Sequence, residues 1–406
     1  MLDVKVERCA GIDVGKKFIE VCVLIGPANR KPTEEVRRFL TNVGDLEALR
    51  AWLIEKGCSE VLMESTGSYW KPVFNILEGH LKVILANAEQ VKALRGKKTD
   101  RKDCRWLAGL LRHGLVQPSF IPPRDIRELR DLTRRRRTLL QNGTQERNRV
   151  QKILEDANVK IGNVLSDVFG LSGQAMLEAL LENKLNAEQM AELARGVLRR
   201  KIPRIIEALE GHRMRDHHRL LIRQALRHMQ FIEEMVEELD KEIQEKLKPY
   251  QKQVELACTI PGIAKDSAAS ILAEIGMDMT DNGPFASCHH LASWAGVCPG
   301  NHSSAGKQKS GRIRKGNRWL KATLAQTAWA AAAKKNSAFQ FRFQRLKTRR
   351  GANRAAVAVA HAQIIALYWV LRVGVPYQQQ RGDLEQQQRD SLIRHYLHRL
   401  AQLGYT

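Results

Sequence analysis

A chain of 406 residues is too long for one compact core, so two or three domains are expected. Its 67 Lys and Arg against 44 Asp and Glu leave a net charge of +23, which points to a polyanionic partner: nucleic acid or an acidic membrane. No stretch approaches the roughly 20 apolar residues of a membrane span, and the N-terminus lacks the apolar centre of a signal peptide. The seven cysteines are scattered, odd in number and mostly set in apolar runs, as reduced core thiols of a cytoplasmic protein would be. Nucleic acid is therefore the expected partner.

The first β-type run covers 8–14. Asp13 follows Cys9-Ala10-Gly11-Ile12, and the turn Val14-Gly15-Lys16-Lys17 leads into a second run, so Asp13 stands at the tip of a predicted hairpin. Strands are read at 8–14, 18–25, 36–40, 60–64 and 82–86, and helices at 44–56, 69–79, 88–95 and 100–113. Together they make an α/β layer with a mixed sheet. Glu64 ends the run Val61-Leu62-Met63, while Asp100 and Asp103 lie three apart, on one face of a helix that Thr99 can cap. Two strand-end acids facing a helical acid pair gather a hard divalent cation such as Mg²⁺. Paired ions about 3.5–4 Å apart clamp both oxygens of a phosphodiester displacement. The alternatives are solvated turn residues, and a helix N-terminus that favours anions. Local charge argues for ligands beside a phosphate track: Lys92, Arg95, Lys97, Lys98, Arg101, Lys102, Arg105 and Arg112 surround the helical pair.

Consecutive prolines at Pro122 and Pro123 close this region. Residues 124–250 read as helical throughout. Leu226, Met229, Ile232, Val236, Leu239, Ile243 and Leu247 recur at spacings of three and four, as in an amphipathic helix suited to a coiled-coil arm. Arg134, Arg135, Arg136 and Arg137 are either a solvated helix face or a phosphate contact, and nearby Arg127, Arg130, Arg147 and Arg149 favour contact. Residues 156–220 are less periodic and carry no functional reading.

From Asn282 to Gly382 there is no Asp or Glu, while Lys and Arg number seventeen. Such a surface can lie along a phosphate backbone, yet it supplies no carboxylate, so metal chemistry falls to the N-terminal region. Ahead of it, Cys258-Thr259-Ile260-Pro261-Gly262-Ile263-Ala264-Lys265 is a tight turn between helices. Gly262 and Lys265 there suit a phosphate site of helix-hairpin-helix type; a plain interhelical turn is the alternative. The loop Trp294–Lys307 and the segment Lys309–Arg318 combine small residues with Lys307, Lys309, Arg312, Arg314, Lys315 and Arg318, which suit close approach to phosphate. A serine in that loop either donates a hydrogen bond or attacks phosphorus and holds the DNA end covalently. Cys288, His289, His290, Cys298 and His302 fit no standard zinc spacing.

Four blocks then match a known family: GIDVGKK around Asp13, MESTGSYW around Glu64, KKTDRKD with Asp100 and Asp103, and IPGIAKDSA…LASWAGVCPGNHSSAG…GRIRKGNRWLK. The chain resembles the DEDD-type transposases of bacterial insertion sequences, the one-ten/eleven-eleven group of bridge-RNA-guided serine recombinases. The resemblance covers nearly the whole chain. It implies a Holliday-junction-resolvase-like (RNase H-like) catalytic domain at 1–123, a helical coiled-coil arm at 124–250, a mainly α transposase domain at 251–380 and a tail helix at 381–406. It also implies four Mg²⁺-binding acids and a serine that forms a 5′-phosphoserine link. The implied partners are donor and target DNA, a noncoding guide RNA and further copies of the chain in a dimer of dimers. A bacterial cytoplasmic protein, nucleoid-associated when acting, is implied too. Counting five residues on from the loop proline, as the family pattern does, reaches Ser304. The family usually has Gly directly after the serine, whereas Ala305 intervenes here, which keeps Ser303 as a rival. The competing readings are a junction-resolving or RNase H-like nuclease using metal-activated water, and a non-catalytic nucleic-acid-binding protein.

Overall fold

The computed structural model describes residues 3–64, 67–86, 100–300, 302–304 and 307–378, with Ile393, Arg399 and Gln402 as isolated positions; for 100–102, 302–304 and 307–310 only the backbone is described. The expected helix at 88–95 lies outside the described residues, as do Lys97, Lys98 and, apart from those isolated positions, the expected tail helix at 381–406. The chain divides into two compact units, Met1–Ile121 and Pro122–Thr406.

The first unit is built on a five-stranded mixed sheet. Its strands are β1 (Arg8–Val14), β2 (Phe18–Ile25), β3 (Thr33–Leu40), β4 (Glu60–Glu64) and β5 (Lys82–Ala86), in the order β3-β2-β1-β4-β5. The first three run antiparallel, and β4 and β5 continue parallel to β1. Gly15 N–H donates to Phe18 O at 3.1 Å and closes the β1–β2 hairpin, which leaves Asp13 one residue from the end of β1. The strand β3 begins three residues before its apolar run. It is an edge strand with polar residues exposed, so pattern alone could not find its start.

Helix α1 (Val43–Glu55) starts where the Asn42 side chain accepts from Asp45 N–H at 2.9 Å. With α2 (Trp70–Leu77) it covers one sheet face, through Leu46, Leu49, Leu53, Val73 and Leu77. Helix α3 (Asp100–Arg112) covers the other through Cys104, Leu107, Ala108 and Leu111.

The second unit opens with α4 (Arg124–Asp156). After α5 (Leu171–Glu182), α6 (Ala187–Ala191) and α7 (Ile202–Leu209), the chain returns along α8 (Asp216–Leu247). Lys246–Glu128 at 2.9 Å, Arg136–Asp240, Arg147–Glu233 at 3.8 Å and His228–Glu146 at 3.0 Å step in opposite directions along the two long helices, so α4 and α8 are antiparallel. The intervening residues form a helical module whose core joins Ile161, Val168, Met176, Leu180, Ile205 and Leu209 to Leu154 and Ile222 of the long helices.

Then come α9 (Gln251–Cys258), α10 (Lys265–Ile275), α11 (Cys288–Ala295), a hairpin of β6 (His302–Ser304) and β7 (Lys307–Ser310), α12 (Arg318–Ala333), α13 (Ala338–Arg350) and α14 (Ala352–Val373). By length and composition α14 is apolar enough to cross a membrane, which corrects the reading that no stretch approaches a span. Here it is the central helix of its neighbourhood, packed against α9, α11, α12 and α13 with Ala355, Ala356, Ala360 and Ile364 buried. Fully buried Gln363 holds it in register. Its Nε2 donates to Pro261 O at 2.8 Å and to Thr327 O at 3.2 Å, and its Oε1 accepts from the Thr327 hydroxyl at 3.0 Å.

Candidate metal centre and nucleic-acid surface

Strand alternation sorts the acids of the first unit. In β1, Ala10, Ile12 and Val14 pack beneath α1 and α2, whereas Cys9 and Gly11 meet α3, and Asp13 shares their parity. In β4, Val61 and Met63 belong to the first core and Leu62 to the second, so Glu64 falls on the α3 face as well. Ile12 pairs with Met63, which makes Asp13 and Glu64 neighbours across the parallel ladder. Helix α3 brings Asp103 to this face, one turn ahead of Leu107, and Asp100 is its first residue. Asp13, Glu64 and Asp103 are each half-buried. Such close approach of helix to strand requires Gly11: a Cβ there would lie 2.2 Å from Cys104 O and 2.3 Å from Ala108 N.

One more acid stands in this row. Glu20 is the direct cross-strand partner of Asp13, with the parity of Cys22 and Leu24, which face α3. The order across three adjacent strands is Glu20, Asp13, Glu64. Burial first, with the Glu20 and Asp13 carboxylates adding to it and a backbone hydrogen bond at Arg105 opposing, pushes the Cys104 thiol up to about 11. Glu20 is 3% exposed. Its Oε1 accepts from Arg38 Nη2 at 2.5 Å and Nε at 3.0 Å, but Oε2 has no hydrogen-bond partner among the described residues. Sequence reasoning passed over it. The available signal was a lone acid in the otherwise apolar strand FIEVCVLI.

Three arginines of the run have partners inside the second unit. Arg134 makes a bidentate pair with Glu274 (Nε–Oε1 2.6 Å, Nη2–Oε2 2.8 Å), Arg136 bridges Asp240 and Asp266, and Arg137 donates to the Thr323 hydroxyl at 2.6 Å. These three side chains join α4 to α8, α10 and α12, and a charge count cannot see such partners. Arg135 is exposed. Gly262 is set by packing. At φ +88°, a Cβ would lie 2.3 Å from Thr327 O and 2.6 Å from Ala331 N, so glycine serves close packing against α12. Lys265 at the start of α10 is exposed.

Arg312, Arg314, Lys315 and Arg318 are exposed. The sequence reading missed α13, whose Arg342, Arg345, Lys347, Arg349 and Arg350 are all exposed; their helical spacing hid them among apolar neighbours. Ser303 and Ser304 end β6, where Ser304 pairs with Lys307 and Ser303 with Gln308. The base of that loop is fastened by a Pro299–Ile313 bridge and by Gly300 N–H donating to Arg312 O at 3.1 Å. Their side chains, and those of Asp100, Arg101, Lys102, Lys307 and Lys309, lie outside the described residues.

Among the described residues one His/Asp group, Asp156, His217 and His218, clusters closely enough to hold a metal. The His218 ring is already engaged at both nitrogens. Nδ1 accepts from Arg215 N–H at 3.2 Å, so the proton of the neutral ring sits on Nε2, 3.0 Å from Asp156 Oδ2. That is a helix-start device for α8. None of the seven cysteines is in a disulfide, and burial pushes Cys9 and Cys22 up to about 12 and Cys58 to about 11, far from thiolate ligands.

Two family models and one relative match the chain in sequence. Residues 10–159 match a family model described as a transposase, which takes in all four predicted acids. Residues 254–344 match one described as the transposase IS116/IS110/IS902 family, which takes in both serines. A probable family 20 transposase of Pseudomonas aeruginosa is 26% identical over 326 residues, spanning 77% of this chain and 83% of its own length. With both of its parts matched in order to one group, the chain belongs to the IS110 family of transposases.

Proposed function

We propose that this chain cuts and rejoins DNA to move an insertion sequence, using a Mg²⁺ centre of Asp13, Glu64, Asp100 and Asp103 and the nucleophile Ser304, with Ser303 as its rival. The observation that carries the reading is the convergence of Asp13, Glu64 and Asp103 on one sheet face. An all-carboxylate donor set fits a hard divalent cation, and thiolates are absent from the row. When bound, the ions would polarise the scissile phosphate and stabilise charge on its oxygens. The serine hydroxyl forms a bond to phosphorus, the bond to the 3′ oxygen breaks, and that oxygen leaves as a 3′-hydroxyl with a proton. Attack by another 3′-hydroxyl reverses the step, so phosphodiester energy is conserved and no water is consumed. The first unit acts in this reading as an RNase H-like domain, supported by strand order β3-β2-β1-β4-β5. Residues 124–250 act as an arm, 251–380 as the serine-bearing domain with a helix-hairpin-helix-like turn, and 381–406 as a tail. A noncoding RNA selects donor and target, in keeping with a cationic surface that carries no acid from Asn282 to Gly382. The active assembly is a tetramer.

The test is denaturing electrophoresis of protein incubated with labelled DNA, guide RNA and Mg²⁺. Wild type is expected to retain label through denaturation, and Asp13→Asn to lose it while still binding nucleic acid. Cleavage that leaves no label on protein would replace this mechanism with hydrolysis by water.

A further inference from the structure

We propose that Glu20 is a fifth carboxylate of the metal centre, offering its Oε2 to the divalent cation or its hydration shell; this rests on the metal-centre reading above. The row geometry carries it. Glu20 is paired across the ladder with Asp13, on the α3 face that also holds Glu64. Its burial is nearly complete, yet one carboxylate oxygen has no donor among the described residues. Buried carboxylate oxygens are seldom left so, because losing water without gaining a donor is unfavourable.

The rival role is a structural pair with Arg38. That side chain is 57% exposed, and an ion pair open to water on one side stabilises little. It satisfies Oε1 alone. An apolar residue would extend the core of Cys22 and Leu24 without any orphaned atom, so the pair does not account for an acid at this position. A hydrated cation beside Asp13 does, since divalent ions keep several waters whose protons seek acceptors.

The measurement is Mn²⁺ binding to the full chain without DNA, read from the free-ion signal in electron paramagnetic resonance. Glu20→Gln keeps an oxygen for Arg38 and is expected to weaken Mn²⁺ affinity about 10-fold, within the range for loss of an outer partner. Arg38→Ala is expected to leave affinity unchanged. If Arg38→Ala reproduces the loss, the effect runs through the ion pair and the proposal fails. If Asp13→Asn abolishes binding and Glu20→Gln changes nothing, Glu20 is outside the centre and the four-acid reading stands. If neither variant alters binding, the metal centre itself is wrong.

Discussion

At the scale of single residues, the proposed chemistry is tested one side chain at a time. Ser304→Ala is expected to eliminate a covalent protein–DNA adduct with an unchanged melting temperature and unchanged RNA binding, checked by denaturing gel and thermal unfolding. An adduct that persists there and vanishes in Ser303→Ala would move the nucleophile by one position. Mixing Ser304→Ala with Asp13→Ala subunits is expected to restore part of the cleavage if acids and serine work in trans. No recovery would confine them to one chain. The strand positions of Asp13 and Glu64 were legible because each follows an apolar run, where alternation fixes the face. Glu20 was not, because its meaning depends on the register that sets it opposite Asp13, a long-range fact.

At the scale of elements, one buried carboxylate joins three helices. Glu274 on α10 is 2% exposed; it pairs with Arg134, lies 3.4 Å from Arg130 and accepts from Asn317 Nδ2 at 2.6 Å. Asn317 in turn caps α12 by accepting from Trp319 N–H at 2.9 Å. Glu274→Ala removes the carboxylate that pairs with Arg134 and lies beside half-buried Arg130, and is expected to cost about 3 kcal/mol in chemical unfolding. Asn317→Asp sets two carboxylates together and is expected to destabilise, whereas Glu274→Gln combined with Asn317→Asp restores donor to acceptor and recovers stability. Lack of recovery would show that the contact is incidental. Gly262→Ala, forced into the backbone of α12, is expected to cost about 3 kcal/mol or more, read as a lower melting temperature. The long helices were legible from spacings of three and four. The internal partners of the arginine run were not legible, since composition counts charges and cannot name Glu274, Asp240 or Thr323. Residues 156–220 were illegible, because their short helices share a core formed by distant segments.

At the scale of the molecule, an excess of 23 positive charges sets how strongly nucleic acid is held. Counterion release makes affinity fall with salt in proportion to the phosphates neutralised. Replacing Arg342, Arg345, Lys347, Arg349 and Arg350 with Gln is expected to reduce the slope of log affinity against log salt by about 4.5 if all five meet B-form DNA. An unchanged slope would take α13 out of the interface. Removing the acid-free region outright would not test this, because α12 and α14 build the interior of the second unit.

The helical module between α4 and α8 leaves and rejoins them at almost one point. Arg213 N–H reaches Ala157 O at 2.7 Å, and His218 lies 3.0 Å from Asp156. An insert whose ends meet is separable: nearly sixty residues can be excised and replaced by a short turn without moving either long helix. Such a trimmed chain needs polar substitutes for Leu154 and Ile222, which excision would bare. The same junction is a port through which a foreign domain can be carried at the end of the helix pair.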